Sequence, residues 1–146
     1  MMWSEDRSTI TCAQKDAIRE LLYRYCFAMD QHRFDSLGGL FTEDGEWLAP
    51  YGRAVGPDAI AALMALNVPV MPRRMHFTMN SVIEVTGDTA TSQSNYLVML
   101  DGDGGLRPSV CGIYADVLVW TAAGWRFRRR ELIHHIRGDV GLTIKV

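Results

Sequence analysis

The chain has 146 residues, of which 48% are hydrophobic and 22% are charged. This length and balance are typical of one globular domain with its own core, and they exclude a disordered or fibrous chain. We therefore expect a single domain over residues 1–146. The formal net charge is -2, so the chain lacks the positive field that attracts phosphate backbones, and we expect no nucleic-acid partner.

The cysteines and the N-terminus indicate the compartment. Cys12, Cys26 and Cys111 lie far apart without a C-x-x-C spacing, which favours neither a disulfide framework nor a zinc site. The N-terminus, MMWSEDRSTI, lacks the basic start and apolar run of a secretory signal. No segment approaches the roughly 18 apolar residues that span a bilayer. We expect a soluble cytoplasmic protein with no membrane partner.

The N-terminal part of the chain predicts three helices and one short strand. Ile18, Leu21, Leu22 and Tyr25 recur at three- and four-residue spacing, which predicts a long amphipathic first helix. The predicted elements are a helix over about 11–30, a short helix over 34–41 capped by Asp35 or Ser36, a turn at 43–45, a strand over 46–49, and a helix from Gly56 to about Leu66.

The C-terminal part predicts four long strands. Turn residues separate runs of β-branched and aromatic residues at hairpin intervals. The predicted strands run over about 75–85, 90–100, 109–121 and 125–136. Helices followed by an antiparallel sheet predict an α+β fold. We expect a cone-shaped α+β barrel, in which three N-terminal helices pack on a strongly bent, mainly antiparallel sheet with a pocket at its mouth.

Asp30 occupies an unusual position for a carboxylate. It lies four residues after Cys26 and eight after Leu22, so it shares a helical row with side chains that face the core. It also lies near the end of its helix, where the negative pole of the macrodipole disfavours an anion. Either the helix has already ended and Asp30 caps the following turn, or the carboxylate has a functional partner.

His76 begins the first long strand. Simple alternation places His76, Thr78 and Asn80 on one face of that strand. A polar row on an otherwise apolar sheet indicates the lining of a cavity, whereas a lone histidine is also compatible with a structural or exposed side chain.

Several local motifs follow one another in a recognisable order. They are the helix end at 23–30, the segment 40–45, the helix start at 56–60 and the closing segment 124–127. Their order and spacing, over nearly the whole chain, resemble the nuclear transport factor 2-like superfamily and its SnoaL-like branch. That superfamily includes isomerases, dehydratases, cyclases, dioxygenase small subunits and proteins without catalytic activity, so the resemblance predicts the fold more firmly than the function.

The resemblance implies a catalytic pair. Scytalone dehydratase and hexachlorocyclohexane dehydrochlorinase, two enzymes of this superfamily, use an aspartate and a histidine in contexts that match Asp30 and His76. Trp47 matches a pocket tryptophan of the dehydrochlorinase. The second histidine of scytalone dehydratase has no counterpart here, because Gln93, Ser94 and Asn95 occupy that stretch.

The pair predicts proton abstraction without a cofactor or a metal. His76 would act as the base, and Asp30 would orient the imidazole and stabilise its charged form. The products of such a step are those of an elimination or an isomerisation of a hydrophobic small molecule. The further substrate-binding candidates are Tyr25, Trp47, Asn80, Asn95, Tyr96, Arg130 and His134.

Arg130 can face the pocket only if its strand contains an irregularity. It matches a position near the pocket of the dehydrochlorinase, and His134 would share its face. If Trp125 and Phe127 point inward, simple alternation places Arg130 outside, so this role requires a β-bulge. The alternative for the basic run at 126–130 is that its arginines are solvated or paired with Asp116.

The sequence is also compatible with a function of another class. The domain could bind a hydrophobic small molecule without catalysis, or be the small subunit of a ring-hydroxylating dioxygenase. The outer face of an open sheet is commonly covered by another copy of the chain, so we expect a homodimer or a homotrimer.

Overall fold

The computed structural model describes residues 7–102 and 104–138. Over these residues, helices precede a six-stranded sheet, and this confirms the predicted α+β class. In chain order the elements are α1 (Arg7–Asp30), α2 (Phe34–Gly38), β1 (Phe41–Ala49), β2 (Gly52–Val55), α3 (Pro57–Asn67), β3 (Arg74–Thr86), β4 (Thr89–Gly102), β5 (Gly105–Thr121) and β6 (Gly124–Arg137). None of the described helices combines the length and the hydropathy that spanning a bilayer requires.

The sheet is curved and open, with the strand order β2-β1-β6-β5-β4-β3. The strands from β3 to β6 form an antiparallel meander, whereas β1 pairs with β6 in parallel. Gly87 and Gly124 adopt positive φ angles of 60° and 97° in two of the connecting turns, a conformation that glycine adopts without steric strain. These turns confirm the predicted hairpins.

Two predictions in the N-terminal part were wrong. The second helix ends at Gly38, and neither Asp35 nor Ser36 caps it, because Arg33 precedes the helix and Asp35 lies in its first turn. An anion is favourable there because it faces the positive pole of the helix. The predicted turn at 43–45 lies inside β1, where the pairing with β6 shifts in register instead of ending.

The core lies between α1 and the concave face of the sheet. Ile18, Leu22, Tyr25 and Met29 form the buried row of α1, with the spacing that the sequence predicted. Large aromatic side chains fill the sheet side of this core; they are Trp47, Tyr96, Tyr114 and Phe127. Each large apolar side chain buried in this way contributes about 1.5–3 kcal/mol, which fixes α1 against the sheet.

Two irregularities decide which side chains face the core. The pairing of β3 with β4 shifts between Thr78 and Ser81, so Ser81 faces inward and Asn80 faces outward. In β6, Phe127 and Arg130 both face inward although three positions separate them. A β-bulge has this effect, because it adds one residue to a strand and reverses the alternation beyond it.

Candidate active site

Asp30 and His76 meet where α1 ends and β3 begins. His76 Nδ1 lies 2.6 Å from Asp30 Oδ1, and the His76 backbone N–H donates to both carboxylate oxygens at 3.0 Å. The side chain of Asp30 is only 16% exposed, and that of His76 is only 12% exposed. The amides that follow α1 bond to backbone carbonyls, so the carboxylate of Asp30 contacts His76 rather than capping the turn.

This contact fixes the donor and acceptor roles of the imidazole. An ionised carboxylate only accepts hydrogen bonds, so Nδ1 of a neutral His76 is the donor to Asp30. The lone pair is then on Nε2, which forms no hydrogen bond with any other described residue. The arrangement can therefore take up a proton at Nε2 while the carboxylate stabilises the charged ring.

Tyr25 and Trp47 form a hydrogen-bonded pair inside the core. Trp47 Nε1 donates to Tyr25 Oη at 2.9 Å, and both side chains are buried. Burial raises the pKa of Tyr25 above its ordinary value, and the charge of Arg130 counters part of this rise. The phenol therefore stays protonated at neutral pH and keeps one hydrogen that it can donate to a further oxygen.

Arg130 is entirely buried, at 0% exposure. Its Nε and one terminal nitrogen each donate to Asp116 at 2.8 Å. Its guanidinium carbon lies 4.0–4.4 Å from the ring centres of Tyr25, Tyr114 and Phe127. Burial disfavours the cation, but the charge and hydrogen bonds of Asp116 outweigh burial and raise the pKa of Arg130. The bulge that the sequence argument required is present, and so is the pairing with Asp116.

Tyr96 and His134 lie together on the inner face of the sheet. Their ring centres are 6.0 Å apart, and Tyr96 also stacks on Tyr114 at 4.3 Å. Neither Tyr96 Oη nor His134 Nδ1 has a hydrogen-bond partner among the described residues, although both atoms are buried. Burial, followed by the charge of Arg137, lowers the pKa of His134. These two predicted residues therefore offer unpaired polar atoms inside the fold.

The structure separates Asn80 and Asn95 from the other predicted residues. Both side chains are exposed and line a shallow depression on the outer face of the sheet. The prediction that Asn80 shares the face of His76 was wrong because of the bulge after Thr78. Asn95 points outward because its neighbour Tyr96 points inward on a regular stretch of β4.

A groove of about 630 Å³ opens beside the pair. Two carboxylates and two guanidiniums line it, namely Asp30, Asp101, Arg73 and Arg74. Its apolar walls include Phe27, Met71 and Met75. Methionine side chains adapt to ligands of different shapes. His76 does not line this groove itself, but its partner Asp30 does. Arg74 is not among the residues predicted from the sequence, although its place two residues before His76 puts both on one strand face.

A metal site is not formed by the described residues. They include no group of three or more histidine, cysteine, aspartate or glutamate side chains that could hold a metal ion.

Residues 11–131 match the model of the SnoaL-like domain. Over 138 residues the chain is 35% identical to Rv2910c, an uncharacterized protein of Mycobacterium tuberculosis. The match covers 86% of this chain and 90% of that protein.

Solved structures show the same fold. One is a variant of Rv3472 from Mycobacterium tuberculosis, a protein of unknown function, in which an aspartate is replaced by asparagine. It has a TM-score of 0.85 and 26% identity, and the match covers 91% of this chain and 78% of that chain. Another is an NTF2-like protein with a cystatin-like fold from Novosphingobium aromaticivorans, with a TM-score of 0.78 and 28% identity over 88% of this chain and 90% of that chain.

Proteins described with different functions share the fold at lower identity. A candidate scytalone dehydratase of Novosphingobium aromaticivorans has a TM-score of 0.76 and 24% identity, over 93% of this chain and 99% of that chain. The β subunit of a candidate aromatic-ring-hydroxylating dioxygenase from the same species has a TM-score of 0.73 and 20% identity, over 88% of this chain and 92% of that chain. At these identities the likeness shows the fold alone.

Proposed function

The chain belongs to the SnoaL-like domain family, and we propose that it is a cofactor-independent lyase or isomerase acting on a hydrophobic small molecule. The observation that carries this proposal is the 2.6 Å contact between Asp30 and His76 Nδ1. It supports a base role because it leaves Nε2 unprotonated in the neutral imidazole. The adjacent groove supports an apolar substrate.

The proposed reaction begins with proton transfer from a substrate carbon to His76 Nε2. In an elimination, the electron pair of that C–H bond forms a carbon–carbon double bond, and a leaving group departs from the next carbon with its own electron pair. In an isomerisation of an unsaturated ketone, that C–H pair forms a double bond to the carbonyl carbon, and the π pair of the carbonyl moves onto its oxygen. The carbonyl then re-forms, the conjugated double bond shifts, and its far carbon takes the proton back from His76. Asp30 stabilises the imidazolium in both cases.

Tyr25, Tyr96 and His134 are the proposed hydrogen-bonding partners of the substrate. Tyr96 Oη and His134 Nδ1 are buried without partners among the described residues, and an unsatisfied buried polar group is unfavourable by about 1–3 kcal/mol. A substrate oxygen that bonded to one of them would remove this penalty. Arg130 is proposed to act indirectly, by holding Tyr25 and Tyr114 in place from the core.

The test is a turnover assay with a panel of hydrophobic carbon acids. The panel contains cyclic ketones, β-hydroxy ketones and halogenated cycloalkanes, each tested both as the neutral compound and with a carboxylate on its ring. Proton NMR in deuterium oxide follows loss of water or halide and uptake of deuterium. We expect the wild type to turn over at least one class. His76→Ala should lower that rate by about 100-fold or more.

His135→Ala is the matched control, because His135 is an exposed histidine on the same protein. It should keep the wild-type rate, and circular dichroism should show the same fold for both variants. Full activity in His76→Ala, or no turnover of any class by the wild type, would contradict the proposed reaction.

A non-catalytic ligand-binding domain is the second candidate. It is favoured because Trp47, Tyr96, Tyr114 and Phe127 fill the interior of the fold. The groove therefore lies beside the core, near Asp30, and not within it. The fold shared with a dioxygenase β subunit is compatible with this candidate. Saturable binding of an apolar ligand together with zero turnover across the panel would favour it over the enzyme.

We also propose that the chain self-associates through the outer face of its sheet. Apolar side chains are exposed there, among them Val82, Val117 and Ile133, and a second copy would cover them. Light scattering after gel filtration should give the mass of a dimer or a trimer. A monomer mass at micromolar concentration would contradict this proposal.

A further inference from the structure

Arg74 lies beside the proposed base on the inner face of β3. Arg74, His76 and Thr78 alternate inward along this strand, whereas Met75 and Phe77 are exposed. Two residues of a strand span about 7 Å, so a ligand of one or two rings can reach Arg74 and His76 together. Arg74 also lines the groove, along with Asp30.

Arg74 has no counter-ion within the described part of the chain. The ion pairs among those residues involve other arginines but not Arg74. The carboxylate of Asp30, which lines the same groove, contacts His76 instead. One terminal nitrogen, Nη1, is buried and has no hydrogen-bond partner among those residues. Arg130 also has a buried Nη1 without a partner, but it differs from Arg74 in having a counter-ion, Asp116, to which it donates two hydrogen bonds. Arg74 as a whole is only half-buried, but leaving this one buried nitrogen without a partner is unfavourable.

Three residues with polar aromatic rings, Tyr51, His134 and Tyr96, follow one another on the inner side of the sheet near Arg74. Tyr51 and Arg74 lie close enough for the charge of each to affect the pKa of the other, although burial is the larger influence on both. The ring of Tyr51 lies 5.6 Å from that of His134, which lies 6.0 Å from that of Tyr96. Tyr96 is only 1% exposed, and its hydroxyl lacks a partner among the described residues.

Two of these donors, Arg74 Nη1 and Tyr96 Oη, have no hydrogen-bond acceptor among the described residues. Arginine only donates hydrogen bonds, and the tyrosine hydroxyl can donate one as well. An anionic oxygen satisfies a guanidinium better than a neutral one does, because a charge-assisted hydrogen bond is about twice as strong. The apolar walls of the groove, Phe27, Met71 and Met75, fit a hydrocarbon ring.

We propose that Arg74 is a specificity-determining residue that selects ligands with an anionic oxygen, a carboxylate or a phenolate, on an apolar ring. The inference rests on the proposed function in one respect, namely that the same ligand is the substrate whose carbon faces His76. Arg74 holds the anionic oxygen, and the ring lies in the groove. The ligand charge replaces the counter-ion that the described residues do not provide.

The test compares binding of two probes, a naphthalene carboxylate and the corresponding neutral carboxamide, by isothermal titration calorimetry. The wild type should bind the carboxylate at least about tenfold more tightly, as expected for one desolvated charge pair. Arg74→Gln should abolish this preference. Arg74→Lys should keep part of it, because lysine keeps the charge but loses the planar fork.

Arg33→Gln is the matched control. It removes the same charge from an arginine that is exposed and lies outside the groove, and the preference should remain. Equal wild-type affinity for both probes, no binding of either, or a preserved preference in Arg74→Gln would overturn the inference.

His76→Ala separates this inference from the proposed function. The preference for the carboxylate should survive in that variant, because Arg74 and not His76 determines it. If the preference holds while the wild type shows no turnover of the carbon-acid panel, the catalytic proposal fails and the binding role of Arg74 stands. If turnover depends on His76 but the preference is absent, only the role of Arg74 fails.

Discussion

Replacing Asp116 by Asn removes the counter-ion of a guanidinium that is entirely buried. Arg130 is 0% exposed, and both of its bonds to Asp116 measure 2.8 Å. The Asn side chain has nearly the same shape but carries no charge, and its single oxygen accepts from only part of the guanidinium. The variant therefore isolates the electrostatic contribution from packing.

The expected loss follows from the burial and the rings around the cation. Breaking a buried ion pair by removing one partner costs about 3–5 kcal/mol. Three aromatic rings within 4.4 Å of the guanidinium carbon partly stabilise the remaining cation. We therefore expect a value near the lower end, about 3 kcal/mol, and a melting temperature lower by about 6–12 °C.

Urea unfolding followed by tryptophan fluorescence measures this loss. The control is Arg129→Gln, which breaks a 3.0 Å pair with Glu131 whose side chains are 42% and 37% exposed. It should lose no more than about 1 kcal/mol. The double variant Asp116→Leu with Arg130→Met removes both charges and should be more stable than Asp116→Asn alone. A loss below about 1 kcal/mol in Asp116→Asn, or a less stable double variant, would refute this reasoning.

Three further predictions concern the core and pH. Trp47→Phe removes the donor to the Tyr25 hydroxyl and should lower the free energy of unfolding by about 1–3 kcal/mol, with recovery when Tyr25→Phe is added; urea unfolding measures both. Gly112→Ala should lower it by about 1–3 kcal/mol, because the added Cβ would overlap the backbone carbonyl of Ile133; equal stability in the same assay would show that β5 and β6 can separate there. Burial, with a nearby positive charge, lowers the pKa of His134, so the unfolded chain binds this proton more readily than the fold. Stability should fall as the pH drops below about 6.5, and a pH series of unfolding curves should show a smaller fall in His134→Gln.

Most of the fold could be predicted from the sequence because its periodicity is regular. The spacing of Ile18, Leu22 and Tyr25 predicts which face of α1 is buried. The turn glycines between runs of β-branched residues predict the antiparallel meander. The strand β2 was not predicted, since four residues with only one buried member carry no alternation signal. A turn at 43–45 was predicted because acidic residues beside a glycine favour turns. The segment instead continues β1, which pairs with β6 on both sides of it.

The site was predictable where chemistry conflicts with local structure. A carboxylate on the buried row at a helix end needs a partner, and the resemblance suggested His76 as that partner. Alternation failed at Asn80, because one extra residue in a strand reverses every later side chain and leaves no trace in composition. Arg74 was missed because an arginine at a strand start usually faces solvent, and its burial depends on how far the sheet bends.

The state of the His76 imidazole tests the central claim most directly. Long-range proton–nitrogen correlation NMR distinguishes the two neutral tautomers of this ring from each other and from its charged form. The 2.6 Å contact with Asp30 predicts a proton on Nδ1 and an unprotonated Nε2, and Asp30→Asn should shift this balance. A proton on Nε2 in the wild type, or an unchanged spectrum in Asp30→Asn, would contradict the proposed base.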